Sequence, residues 1–149
     1  VIVVPGGPAT ARLIEEKHPV IEWVRSVHPG TTWTTSVCTG ALLLGAAGVL
    51  QGLQATTHWA AIGSLPLFGA TYSPERVVVQ GKVITAAGVS AGIDMALALA
   101  AKLKDETFAQ AIQLAIEYDP QPPFDCGSPS KASDDVKAQL AAVFTARPG

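Results

Sequence analysis

Two cysteines carry very different prospects for chemistry. Cys38 lies in Ser36-Val37-Cys38-Thr39-Gly40-Ala41, where a β-branched stretch gives way to helix-compatible residues, whereas Cys126 lies in a Pro/Gly-rich tail. A nucleophile on a tight strand-to-helix turn is projected out of the sheet edge, with the amides of the following helix start aimed toward it. Small residues at Gly40 and Ala41 let such a turn be sharp. The partial positive charge at a helix start favours thiolate over thiol, which lowers the thiol pKa and activates the sulfur. The local pattern makes Cys38 a candidate catalytic nucleophile; the competing reading is a buried structural cysteine, a common fate of free thiols in apolar chains.

A thiolate that attacks a polarised carbon needs donors for the charge that develops. Pro5-Gly6-Gly7-Pro8 follows the opening apolar run at what would be the carboxyl end of a strand, where ligand sites of parallel sheets form. Glycine there lets bare backbone N–H groups approach a ligand, so Gly7 is a candidate oxyanion donor, with the N–H of Thr39 as its partner. An ordinary turn between strand and helix would have the same composition.

His58, within Thr57-His58-Trp59, is a candidate for lining the site rather than for its base; a hydrogen-bonded core histidine is the alternative. His18 and His28 stand in charged or turn contexts. Gly88-Val89-Ser90-Ala91-Gly92 matches the serine-hydrolase elbow literally, but all three histidines precede Ser90, so the order that elbow requires is missing. It reads instead as a helix cap whose glycines allow close packing near the site. No Cys/His cluster has metal-ligand spacing, so no metal is expected.

These residues need elements to hold them. Val1-Ile2-Val3-Val4 is a continuous β-branched run that predicts a strand buried on both faces. A central strand is an odd beginning, which leads to the expectation that a strand-helix unit of about 30 residues precedes it in the protein. Pro19 to Val27 has apolar residues at helical spacing and is closed by His28-Pro29-Gly30. Thr31 to Val37 predicts the next strand and Thr39 to Leu50 the next helix, with Cys38 at their junction.

Farther on, Gln54 to His58 is a short strand candidate, and Trp59 to Phe68 is undecided because Gly63 and Pro66 interrupt it. Arg76 to Gln80 and Lys82 to Ala86 predict a hairpin about Gly81. Ser90 to Lys104 and Asp105 to Tyr118 predict helices capped by Ser90 and Asp105. Asp119 to Lys131 holds four of the eleven prolines and predicts an extended surface segment, and Asp134 to Phe144 a last helix. Strands alternating with helices indicate a three-layer α/β fold whose mainly parallel sheet is flanked by helices, in a single domain.

Composition narrows the function classes. Hydrophobic residues make up 48% and charged residues 15% of 149 positions, the balance of a folding chain. Ten Lys+Arg against twelve Asp+Glu leave a net charge of −2, and Arg12, Arg25, Arg76, Lys102, Lys104 and Arg147 are dispersed, so no nucleic-acid surface is expected. The apolar stretches Ala41 to Leu50 and Ala86 to Ala101 are too short, or interrupted by Asp94, to span a membrane. Two cysteines in unlike contexts make no disulfide framework, and no secretory signal opens the chain; a reducing, cytoplasmic setting is expected.

The blocks VIVVPGG, SVCTGALLLGAAGVL, ATTHWAA, ITAAGVSAGIDMALALA and EYDPQPPFDCGSP together resemble the PfpI-type superfamily, which has a flavodoxin-like, class I glutamine amidotransferase-like fold. The tail EYDPQPPFD, joined to a Cys-Thr elbow in place of Cys-His, is similar to its isonitrile-hydrating branch. The resemblance implies hydration of an isonitrile to an N-substituted formamide by a homodimer that uses no metal or organic cofactor. It places the nucleophile on Cys38 and the adjacent threonine on Thr39. It also implies an acidic acid-base residue near the family's N-terminus, to which no position here corresponds, so these residues alone are expected to show little hydratase activity. Sensory domains of AraC-type regulators look much alike around Cys38 and ATTHW. Amidases, peptidases and thiol-based stress proteins of the same scaffold usually follow the cysteine with histidine.

Overall fold

The β-branched and hydroxyl-rich runs of the sequence assemble around one four-stranded sheet. A computed structural model of the chain describes residues 1–145, which fall into two units, Val1–Ile116 and a second that begins at Glu117. Arg147, counted above among the dispersed basic residues, lies outside the described residues. In chain order the first unit contains β1 (Ile2–Val4), α1 (Thr10–Glu15), α2 (Pro19–Val27), β2 (Thr34–Val37), α3 (Gly40–Ala46), β3 (Gln54–Ala55), β4 (Thr71–Tyr72), β5 (Val77–Gln80), β6 (Val83–Ala86), α4 (Ala91–Leu103) and α5 (Glu106–Ala115). Turns of 3-10 helix cover His28–Gly30 and Trp59–Phe68. The second unit holds the extended, exposed stretch after Glu117 and α6 (Asp134–Thr145).

The sheet order is β1-β2-β6-β5, with β1, β2 and β6 parallel and β5 antiparallel at the edge. The hairpin forms as predicted. Gln80 pairs with Val83 across Gly81-Lys82, and Gly81 takes the positive φ of +58° that a two-residue loop demands of its first residue. Consecutive side chains of β6 point to opposite faces and divide the core in two. Val83 joins Val24, Leu44, Leu50 and Leu65 on the side of α2 and α3; Ile84 and Ala86 join Met95 and Leu99 of α4 on the other. Leu44, Leu50 and Leu65 are fully buried, each contributing about 1.5–3 kcal/mol. Helix, sheet and helix are the three layers expected.

Several elements depart from expectation. β1 is an edge strand in which Val4 alone is buried; Val3 is 53% exposed, because α4 packs over β6 and its cluster does not extend to β1. β2 begins at Thr34 rather than Thr31, since the Thr31 hydroxyl bonds the His28 carbonyl and the Thr34 hydroxyl, closing the preceding turn. β3 stops at Ala55, where the Thr56 N–H turns to the Thr85 hydroxyl. It pairs in parallel with β4, an element of two residues that no sequence pattern announced. Helix α3 ends at Ala46, well before Leu50. Asp105 caps α5 through Phe108 N–H as predicted, whereas Ser90 makes no cap bond at α4. No helix among the described residues is long and apolar enough to cross a membrane.

Candidate active site

Cys38 sits between β2 and α3 with φ +59°, a left-handed conformation that costs a residue with a Cβ about 1–3 kcal/mol. The surroundings impose it. The Cys38 N–H donates to the Ala86 carbonyl at 3.1 Å, extending the β2–β6 ladder by one rung. Its carbonyl accepts from the Thr57 hydroxyl at 2.9 Å and, at 3.4 Å, from the Ala41 N–H. On the other side Gly40 brings α3 against the end of β1, where a Cβ would collide with the Val4 carbonyl oxygen. The result is a strand, one strained residue and a helix, with the Cys38 side chain half-buried.

The Pro5-Gly6-Gly7-Pro8 turn folds over this elbow. Gly6, not Gly7, packs against the start of α3: a Cβ on Gly6 would fall 2.5 Å from Thr39 N and 2.9 Å from Gly40 N, so only glycine allows the turn to come this close. Gly7, at φ +152°, gives its N–H to the Thr39 hydroxyl at 3.0 Å. The amide expected to serve as an oxyanion donor is thus held by a side chain of the elbow itself. Thr39 Oγ1 also lies 2.9 Å from the hydroxyl of Thr10, a buried residue at the start of α1. An open, largely apolar cavity of about 280 Å³ adjoins the same turn, lined by Val3, Pro5, Gly6, Gly7, Thr10 and Trp23 among others.

His58 is not hydrogen-bonded to Cys38. Its Nδ1 accepts from the Ala60 N–H at 3.3 Å and caps the 3-10 segment, and its ring centroid lies 5.5 Å from that of Trp59. A Cβ at Gly88, just past the end of β6, would lie 3.8 Å from its Cδ2, so the ring borders the loop that follows Ala86. Ser90 accepts from Arg76 at 2.9 Å, a tether between β5 and α4 rather than a serine-hydrolase pair. Gly92 packs on Val37, where an added Cβ would come within 3.1 Å of Val37 Cγ1, which fits the expected close approach near the site.

Reasoning from the sequence therefore brought Cys38, Thr39 and Gly7 together and left out Gly6, Thr10 and Thr57. The adjacent glycines of the turn gave no sign of which one faces α3. Thr57 had one available signal, its place beside His58 in a block already singled out. Among the described residues no three His, Cys, Asp or Glu side chains gather as a metal site.

Comparison with known proteins shows the family and the fold. The model of the DJ-1/PfpI family matches residues 1–102. The chain is 48% identical over 136 residues to an isonitrile hydratase of Pseudomonas putida, which covers 91% of this chain and 59% of that enzyme. An HTH-type transcriptional regulator of Pseudomonas aeruginosa is 32% identical over 129 residues, 84% of this chain and 35% of the regulator. Among solved structures, a ThiJ/PfpI family protein from Pseudomonas syringae superposes with a TM-score of 0.87 at 37% identity, over 96% of this chain and 60% of that one. The chain thus spans about three-fifths of the length of the enzyme and of the solved structure.

Proposed function

The chain belongs to the DJ-1/PfpI family, and from that premise we propose that its protein is an isonitrile hydratase with Cys38 as nucleophile. The observation that carries the reading is the 48% identity to an isonitrile hydratase over 91% of the chain, a stretch long enough to include Cys38 and Thr39. The regulator shares less identity and only about a third of its own length.

In the proposed reaction Cys38 Sγ forms a bond to the terminal carbon of R–N≡C, and a proton is delivered to that carbon, giving the thioimidate R–N=CH–S–Cys38. Water then adds to the same carbon, the nitrogen takes up a proton and the C–S bond breaks. The products are R–NH–CHO and the free thiol, so one isonitrile and one water are consumed per formamide. The substrate is a small neutral molecule, and the reaction needs no redox partner. Thr39 supports the elbow in two ways: its N–H stands beside the nucleophile where charge develops, and its hydroxyl holds Gly7. His58 is read as part of the wall near the end of β6.

The full-length protein is expected to convert cyclohexyl isocyanide to its formamide, followed by chromatography, and Cys38→Ala to lower the rate by about 10³-fold or more. Turnover that survives in Cys38→Ala would sink the nucleophile. A wild type that forms no formamide, while remaining folded, would sink the reaction.

A further inference from the structure

The Cys38–Thr39 peptide has two ends with different surroundings. Its carbonyl points inward and accepts from the Thr57 hydroxyl at 2.9 Å; Thr57 is only 2% exposed. The peptide is trans, so its N–H, that of Thr39, points the opposite way. Gly6 packs closely on that nitrogen, since a Cβ there would stand 2.5 Å from Thr39 N. A buried side chain thus grips one end of the peptide that carries the nucleophile, and the Pro5–Pro8 turn packs closely against the other.

We infer that Thr57 is a positioning residue for the nucleophile elbow, acting through the Cys38–Thr39 peptide rather than on the substrate. Two physical effects support the assignment. Cys38 is held at φ +59°, and such strain persists only where neighbouring groups over-determine the backbone. The Ala86 carbonyl fixes the nitrogen side of Cys38, and the Thr57 hydroxyl gives the carbonyl side its shortest hydrogen bond among the described residues. In addition, a hydrogen bond to a peptide carbonyl polarises the amide and strengthens its N–H as a donor, by about 10–30% per bond. Thr57 is itself set by its neighbours. Thr56 N–H donates to the Thr85 hydroxyl on β6, the strand that also receives the Cys38 N–H, so nucleophile and anchor hang from one strand.

The inference rests on the reading of Cys38 as nucleophile, and its test separates the two. Thr57→Val keeps the shape of the side chain and deletes the hydroxyl; Thr57→Ser keeps the hydroxyl and deletes the methyl. With cyclohexyl isocyanide, Thr57→Val is expected to lower kcat by about 10- to 100-fold, less than outright loss of an oxyanion donor, with KM changed less than about two-fold. Thr57→Ser should stay within about three-fold of wild type. The second readout is alkylation of Cys38 by iodoacetamide at pH 7, with exposed Cys126 as internal reference. Thr57→Val should slow it about three-fold or more, and Thr57→Ser should restore it. If Thr57→Val fails to fold, Thr57→Ala carries the same expectation. Wild-type kcat and alkylation in the hydroxyl-free variant would overturn the inference, and so would a Thr57→Ser as impaired as Thr57→Val. A wild type without hydratase activity would count against the reaction alone, since the alkylation ratios still decide on Thr57.

Discussion

Strand β2 carries a hydrogen-bonded cluster at each end, and the two are built on opposite principles. At its amino end the His28 Nδ1 and the Thr31 hydroxyl both meet the Thr34 hydroxyl, at 2.8 and 2.7 Å. The Lys82 ammonium donates to the carbonyls of His28, Pro29 and Thr31 at 2.6, 3.0 and 3.2 Å. The backbone there is relaxed and the cluster closes on itself. At the carboxyl end Cys38 is strained, and Gly6 and Gly40 stand where no Cβ fits, so backbone packs directly on backbone around the elbow. One end secures the strand through side chains. The other stores strain, as functional sites do when the surrounding fold is rigid enough to hold it.

The sharpest way to break this contrast is the same substitution at both ends. Gly40→Ala drives a Cβ into the Val4 carbonyl, a backbone atom that cannot swing aside. It is expected to cost about 3 kcal/mol and to reduce formamide production by about 10²-fold, because the elbow itself must shift. Gly30→Ala, with nothing within 4 Å, should change stability by less than about 0.5 kcal/mol. Urea denaturation and the formamide assay on both variants check the pair; equal behaviour would remove the distinction between the ends.

The contrast also explains what could be read from the sequence. Features set by local chain chemistry were legible: α2 with its Pro19 start, the Gly81 hairpin, the Asp105 cap and the Cys38 junction between strand and helix all follow from neighbouring residues. Features set by contacts across the sheet were not. Val3 looked like a buried residue because β-branched runs do not say which flank lacks a covering helix. The Thr57 bond to Cys38 joins residues 19 apart, and the bond from Gly7 to Thr39 joins residues 32 apart. Ser90 had the composition of a cap, but Arg76 claimed its hydroxyl. Placing Cys38 at a junction of strand and helix needed only the local signal, while the contacts that hold it there come from positions that a strand-by-strand reading treats as separate.

A smaller effect is expected at the amino end. Lys82→Met removes an ammonium from three carbonyls that then turn to water, at a cost of about 1–2 kcal/mol. Cys38 should be alkylated at the wild-type rate in this variant, because the whole length of β2 separates Lys82 from the elbow. A lowered urea midpoint with unchanged alkylation fits the division of labour along the strand. A large fall in alkylation would mean that the two clusters are coupled through β2.

The smallest effect belongs to His28, whose pKa is lowered from the ordinary value of 6.5, first by burial and then by the nearby Lys82 charge. The folded protein therefore binds a proton at this ring less readily than the unfolded chain. The stability it contributes is fully present above pH 6.5 and is lost as the pH falls below that value through the folded-state pKa. His28→Gln, which cannot titrate, should accordingly flatten the decline of the urea midpoint between pH 7 and pH 5. In Lys82→Met the decline should be shallower than in wild type but still present, because burial, the larger cause, remains when the charge is gone. A wild-type slope retained in His28→Gln would mean that acid weakens the fold elsewhere, and that the closed cluster at the amino end is indifferent to the proton.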